Sequence, residues 1–154
     1  MAAMERIQDF LAHKRFAMVG VSRHPQDFSR TLFHEFLNRG YDAVPVNPDA
    51  VEIEGRPCFA HVTEIKPPVD GVLLMTTPAV TEAVVRECAD VGVKRVWMHR
   101  ASGAGAVSNE AVRFCEEHGM SVIPGECPFM FLPGSSWFHR LHGFVRRIGG
   151  SYPN

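Results

Sequence analysis

The residues best suited to chemistry fall in a few short runs. The first is Gly20-Val21-Ser22-Arg23-His24-Pro25, followed at a short distance by Arg30. A glycine lets an anion approach the backbone, a serine offers a hydroxyl, and the two arginines offer charge-assisted bonds to phosphate oxygens. The competing reading is a plain turn that needs a glycine. Val46-Asn47-Pro48 is a second such run, and Thr76-Thr77-Pro78 a third. Two adjacent hydroxyls suit a polar part of a nucleotide. A threonine N-cap with proline at the first helical position explains Thr77-Pro78 equally well. His99-Arg100 leads into Ala101-Ser-Gly-Ala-Gly-Ala106, a small-residue loop that either closes over a ligand or joins two elements.

Other reactive types give less. The 8 histidines include no His-Glu-x-x-His pattern. His139 and His142 lie one helical turn apart, but no nearby cysteine or carboxylate completes a metal site, so solvated positions and no bound metal are expected. The four cysteines, Cys58, Cys88, Cys115 and Cys127, contain no Cys-x-x-Cys pair. Each lies in or beside apolar sequence, where a reduced cysteine packs as a small hydrophobe. Cys127 has no paired general base, so packing is also its expected role, and no catalytic residue is assigned.

These runs need elements to position them. Phe16–Val21, Tyr41–Val46, Val69–Met75, Lys94–Met98 and Met120–Ile123 are short apolar runs that read as buried strands. Between them lie helical patterns. Phe28, Leu32, Phe33, Phe36 and Leu37 recur before Gly40; Val80, Val84, Cys88 and Val91 form one face before Gly92; Ser108 opens a helix that ends at His118-Gly119. Val51–Lys66 is irregular, with a short edge strand expected near Cys58-Phe59. A C-terminal helix over about 136–149 carries Trp137, Leu141, Phe144, Val145 and Ile148 and is expected to cover the sheet. Alternating strands and helices predict an α/β fold: a single Rossmann-like, doubly wound, mostly parallel sheet with helices on both faces. Such sheets bind ligands beyond the carboxyl ends of their strands, which is where the polar runs fall.

Composition narrows the class. The 154 residues are 45% hydrophobic and 21% charged, ordinary for a folded single domain. Lys and Arg number 16 against 17 for Asp and Glu, a net charge of -1, which gives no support to nucleic acid as a partner. No apolar stretch is long enough to span a membrane, and the N-terminus has no signal-peptide core. With its reduced cysteines, the chain is expected in the cytoplasm. Nicotinamide dinucleotides are disfavoured. Their fingerprint wants three glycines, whereas Ser22 and Pro25 stand at the later two positions, and no acid ends the second strand before Asp49.

The pattern resembles the small CoA-binding proteins related to the CoA-binding domain of succinyl-CoA synthetase alpha subunits. The resemblance runs from about Phe16 to Pro128. It rests on Val19-Gly-Val-Ser-Arg-His-Pro25, Gly40-Tyr41 leading to Val44-Pro-Val-Asn-Pro48, Pro68-Val-Asp70, Val96-Trp-Met98 and Glu126-Cys-Pro128. It implies a domain that holds coenzyme A, or an acyl-CoA, through its ADP portion. Gly20, Val21, Ser22 and Arg23 would then line the phosphate turn, with Arg30 as a basic position in the first helix. Val46, Asn47 and Pro48 would form one ledge, and Thr76, Thr77 and Pro78 another. Many relatives carry a basic residue just after the Asn-Pro, a position where this chain departs from the pattern with Asp49.

In the synthetases, ligase chemistry needs further domains, and this chain ends about where a second one would begin. The resemblance therefore implies a stand-alone binding module of residues 1–154, core about 14–128, without catalysis of its own. The alternatives are an NAD(P)-binding oxidoreductase, an acyl-CoA-transforming enzyme, or a CoA-responsive subunit that meets a protein partner through the Trp137 helix.

Overall fold

Apolar runs of four or five residues, too short for helices, line up as the central sheet of the computed structural model. The structure describes residues 2–133. In chain order the elements are α1 (Ala3–Ala12), β1 (Arg15–Val19), α2 (Phe28–Asn38), β2 (Asp42–Val46), β3 (Glu52–Ile53), β4 (Arg56–Pro57), β5 (Gly71–Leu74), α3 (Pro78–Asp90), β6 (Arg95–Met98), α4 (Asn109–Glu117) and β7 (Ser121–Pro124). Single 3-10 turns occupy Val62–Glu64 and Pro128–Met130. Five strands pair in parallel in the order β2-β1-β5-β6-β7. This is the Rossmann-like α/β architecture that the alternation predicts.

Strand residues alternate between two cores, because successive side chains point to opposite faces. Ala17, Val19, Val72, Leu74, Val96 and Met98 face α3 and α4, together with Val84, Val85, Cys88, Ala111 and Cys115. Phe16, Met18, Leu73, Trp97 and Ile123 face α1 and α2, together with Ile7, Phe10, Leu32, Phe33 and Phe36. The second core is aromatic. Phe10 meets Trp97 edge-on at 5.4 Å between ring centroids, and Phe16 meets Phe36 at 4.9 Å. Trp97 satisfies its indole N–H on the Gly125 carbonyl at 2.9 Å, so its burial leaves no orphan donor.

Local signals act as read. Thr77 caps α3 by accepting from the Val80 amide, with Pro78 first in the helix, and Ser108 caps α4 through the Ala111 amide. Cys58 is half-buried, and Cys88, Cys115 and Cys127 are buried. Burial pushes the Cys115 thiol up to about 12 and the Cys88 thiol further in the same direction. Neither is a thiolate at neutral pH, which fits a packing role.

Three readings need correction or completion. Helix α1 was not legible: Glu5, Arg6 and Asp9 interrupt it, and it buries only Ile7 and Phe10. It is held by tertiary contacts, Asp9 to Arg95 at 2.6 Å and the Leu11 carbonyl to Tyr41 Oη at 2.6 Å. The edge strand expected near Cys58-Phe59 is a hairpin, β3-β4, plus a single parallel bridge from Phe59 to Val46. Val80 does not belong to the core face of α3; it is 46% exposed, and Thr81 is buried in its place. The C-terminal helix expected over 136–149, with Trp137, His139 and His142, lies outside the described residues.

Candidate functional site

The strand order reverses between β1 and β5. From β1 the chain moves outward to β2, then returns to place β5 on the other side. Crossover loops therefore part at this point and leave a crevice at the carboxyl edge. Gly20 sits at its floor. The backbone there has φ +93°, and a Cβ would fall 2.3 Å from the Met75 carbonyl oxygen. The Gly20 amide donates to the Val46 carbonyl at 2.9 Å, and the Met75 amide to the Val19 carbonyl at 2.8 Å. The glycine thus answers to the neighbouring backbone: the turn must press against β5 in a conformation that L-residues avoid.

Two clefts open from this floor and share Gly20, Thr76 and Val80. The first, about 390 Å³, lies between the end of β2 and α3. Val46, Pro48, Val62, Val80 and Val84 make it mainly apolar, and His61 and Glu87 stand at its rim. His61 Nδ1 lies 3.3 Å from Glu87 Oε1. Val80, Ala83, Val84 and Glu87 of α3 line one side of this cleft.

The second cleft, about 560 Å³, runs from Gly20 past Thr76, Thr77 and Pro78 to His99, Gly105 and Ala106. His99 follows β6 directly. Burial drives its imidazole down to about 4, so it is neutral at pH 7. The unfolded chain takes up this proton near the ordinary value of 6.5, whereas the folded chain resists until about 4. Stability from this group is therefore full above the unfolded value and falls as pH drops through that window, by about 3 kcal/mol in all. Urea unfolding between pH 7 and 4.5 should show a shallower fall for His99→Gln than for the parent; equal slopes would reject this.

The expected site residues divide into two groups. Gly20, Val46, Asn47, Pro48 and Thr76 line the first cleft; Gly20, Ser22, Thr76, Thr77 and Pro78 line the second. Val21 has its side chain fully buried in the α2-side core and contributes only backbone, its carbonyl accepting from Asn47 Nδ2 at 2.8 Å. That bond ties the end of β2 to the turn after β1. Arg23 is exposed and lines neither cleft. The Arg30 guanidinium turns to Glu54 at 3.4 Å and to the carbonyls of Ser22 and Arg23 at 3.4 and 3.3 Å, so it braces the turn from behind.

Ser22 is also engaged. Its hydroxyl donates to Asp27 Oδ2 at 2.6 Å and accepts from the His24 amide at 3.0 Å, while its own amide donates to Ser29 Oγ at 2.9 Å. Asp27 therefore brings a carboxylate to the mouth of the second cleft, which it lines. Sequence reasoning passed over Asp27, His61, Val80, Glu87 and the cleft-lining place of His99. The usable signals were the strand-end position of His99 and the run Val80, Val84, Glu87 along one side of α3.

Residues 14–133 match the CoA binding domain family. The chain belongs to that family. As a CoA-binding-domain protein it is similar to the uncharacterized protein YneT of Bacillus subtilis (strain 168), at 29% identity over 74% of this chain and 82% of the relative. A hypothetical protein from Pyrococcus horikoshii OT3 superimposes with TM-score 0.76 at 26% identity, covering 83% of this chain and 87% of that one. A dinucleotide forming acetyl-coenzyme A synthetase from Candidatus Korarchaeum cryptofilum matches with TM-score 0.62 at 27% identity, covering 71% of this chain and 25% of the synthetase. The resemblance to the synthetase-type CoA-binding domain stands on these findings. Among the described residues no helix is long and apolar enough to cross a membrane, and no group of three or more His, Cys, Asp or Glu could hold a metal ion.

Proposed function

We propose that this CoA-binding-domain protein works as a single domain that binds coenzyme A across the two joined clefts and performs no chemistry on it. The observation that carries this reading is the continuous trough at the point where strand order reverses, with Gly20 at its floor. The adenine fits the first cleft, whose valines offer flat apolar contact. The diphosphate fits above the Gly20–Arg23 turn, at the start of α2, where helix amides favour an anion. Arg23, exposed beside that turn, is the cation available to it. Asn47 is tied to Val21 and Asp49, and β2 ends without an acid that could hold a nicotinamide-dinucleotide ribose.

What lines the trough supports the non-catalytic part of this reading. Neither cleft is lined by a cysteine among the described residues. His99, held neutral with a value of about 4, is too weak a base to take a thiol proton efficiently near pH 7.

Isothermal titration with CoA, dephospho-CoA and NAD tests the reading, with CoA expected to bind tightest. Tighter binding of NAD than of CoA would reject it, and turnover of acyl-CoA by the pure protein would reject the non-catalytic part. The same titration checks a second expectation. Asp27 is the N-cap residue of α2 but makes no side-chain cap bond. Asparagine is an equally good N-cap, so Asp27→Asn should leave folding intact while removing a negative charge from the diphosphate position. CoA affinity should rise by about three- to tenfold, roughly 1 kcal/mol. An unchanged or weakened affinity would place the diphosphate elsewhere.

A further inference from the structure

The second cleft is larger than a diphosphate needs. It starts at the Gly20 turn and ends at His99, where the loop before α4 closes it. The loop is pressed tightly there. Gly105 has φ +56°, a Cβ would fall 2.5 Å from the His99 carbonyl oxygen, and the Ala106 amide donates to that same carbonyl at 2.8 Å. From the other side the Phe28 ring lies 5.7 Å from the imidazole, tilted by 41°. The imidazole is thus held in place, with Nε2 buried and without a hydrogen-bond partner among the described residues. A fixed polar ring at the end of a cleft walled by Met75, Pro78, Val80 and Ala106 is a recognition element without a partner among the described residues.

We infer that this cleft takes the pantetheine arm of coenzyme A and that His99 is its specificity-determining contact, bonding to an amide of the arm. The inference rests on the CoA reading above and adds the route of the arm and the residue that recognises it. A neutral imidazole offers one donor and one acceptor. An amide group offers the complementary pair, whereas a plain alkyl chain offers neither. Because burial keeps the ring neutral, the contact persists across the physiological pH range.

The test compares CoA with 3′-phosphoadenosine 5′-diphosphate, which lacks the arm, on the full chain and on His99→Ala, His99→Phe and His99→Gln, with thermal melts to confirm folding. His99→Ala and His99→Phe should weaken CoA by about three- to tenfold and leave the arm-less nucleotide unchanged. His99→Gln, which keeps a donor and an acceptor, should bind CoA within about twofold of the parent. Should either of the first two variants fail to fold, the other paired with His99→Gln still decides the matter. Equal weakening of both ligands, or no weakening of CoA, overturns the role of His99 while leaving CoA binding in place. A parent chain that binds neither ligand overturns the CoA reading and this inference together.

Discussion

Gly20→Ala is expected to cost about 3 kcal/mol or more of folding stability and to abolish measurable CoA binding. Two separate effects combine. An alanine at φ +93° occupies a region that L-residues rarely adopt, at a cost of about 1–3 kcal/mol. Its Cβ also meets the Met75 carbonyl oxygen at 2.3 Å and carbon at 2.9 Å. Both are backbone atoms, and the Met75 amide is bonded to Val19, so relief requires parting the ends of β1 and β5. A natural domain of this size has only about 5–15 kcal/mol in total, so the loss is large. Gly40→Ala separates the two effects. Gly40 has φ +84°, but nothing lies within 4 Å of a Cβ placed there. Urea unfolding of both variants should give a clearly larger loss at Gly20, the excess being the steric part. Equal losses would show that the floor of the crevice yields, and the close packing of β1 against β5 would lose its importance.

The largest effect on binding without damage to the fold is expected from Val80→Asp. Val80 is the third residue of α3, 46% exposed, and lines both clefts. An aspartate in the first helical turn is favoured by the helix dipole, so stability should hold within about 0.5 kcal/mol. The new carboxylate would stand where the two clefts meet, beside the bound diphosphate. At about 5 Å and an effective dielectric constant near 20 to 40, like-charge repulsion is roughly 2–3 kcal/mol, about thirty- to a hundredfold in affinity. Val80→Asn, of the same shape without the charge, should lose much less. Added salt should narrow the gap between the two variants, because exposed charges are screened. If the aspartate and asparagine variants bind CoA equally, the diphosphate does not pass Val80 and the joined-cleft reading is lost.

The sequence by itself determined the layer plan. Strands buried on both faces must be nearly continuous apolar runs, and β1, β2, β5, β6 and β7 all show this. Helix boundaries were legible where local chemistry sets them, as with Thr77-Pro78, Ser108 and the glycines Gly40, Gly92 and Gly119 that end helices at positive φ. Once strand ends are known, so are the loops that can carry a site, and Gly20, Asn47, Thr76 and His99 all lie there. Helix α1 was not legible, because two buried side chains give too weak a periodic signal and its anchors, Arg95 and Tyr41, are distant in sequence.

Only the tertiary structure decided which way the site residues turn and what charge they carry. Arg30 carries the right chemistry for phosphate, yet Glu54 and two carbonyls of the turn claim it. Val80 has the periodicity of a core residue, yet it is half exposed and faces a cleft. His99 is neutral because neighbouring elements exclude water from it, and desolvation is a property of the packed environment that residue type does not carry. Periodicity records which residues avoid water; the directions and protonation states at a site follow from contacts between segments far apart in the chain.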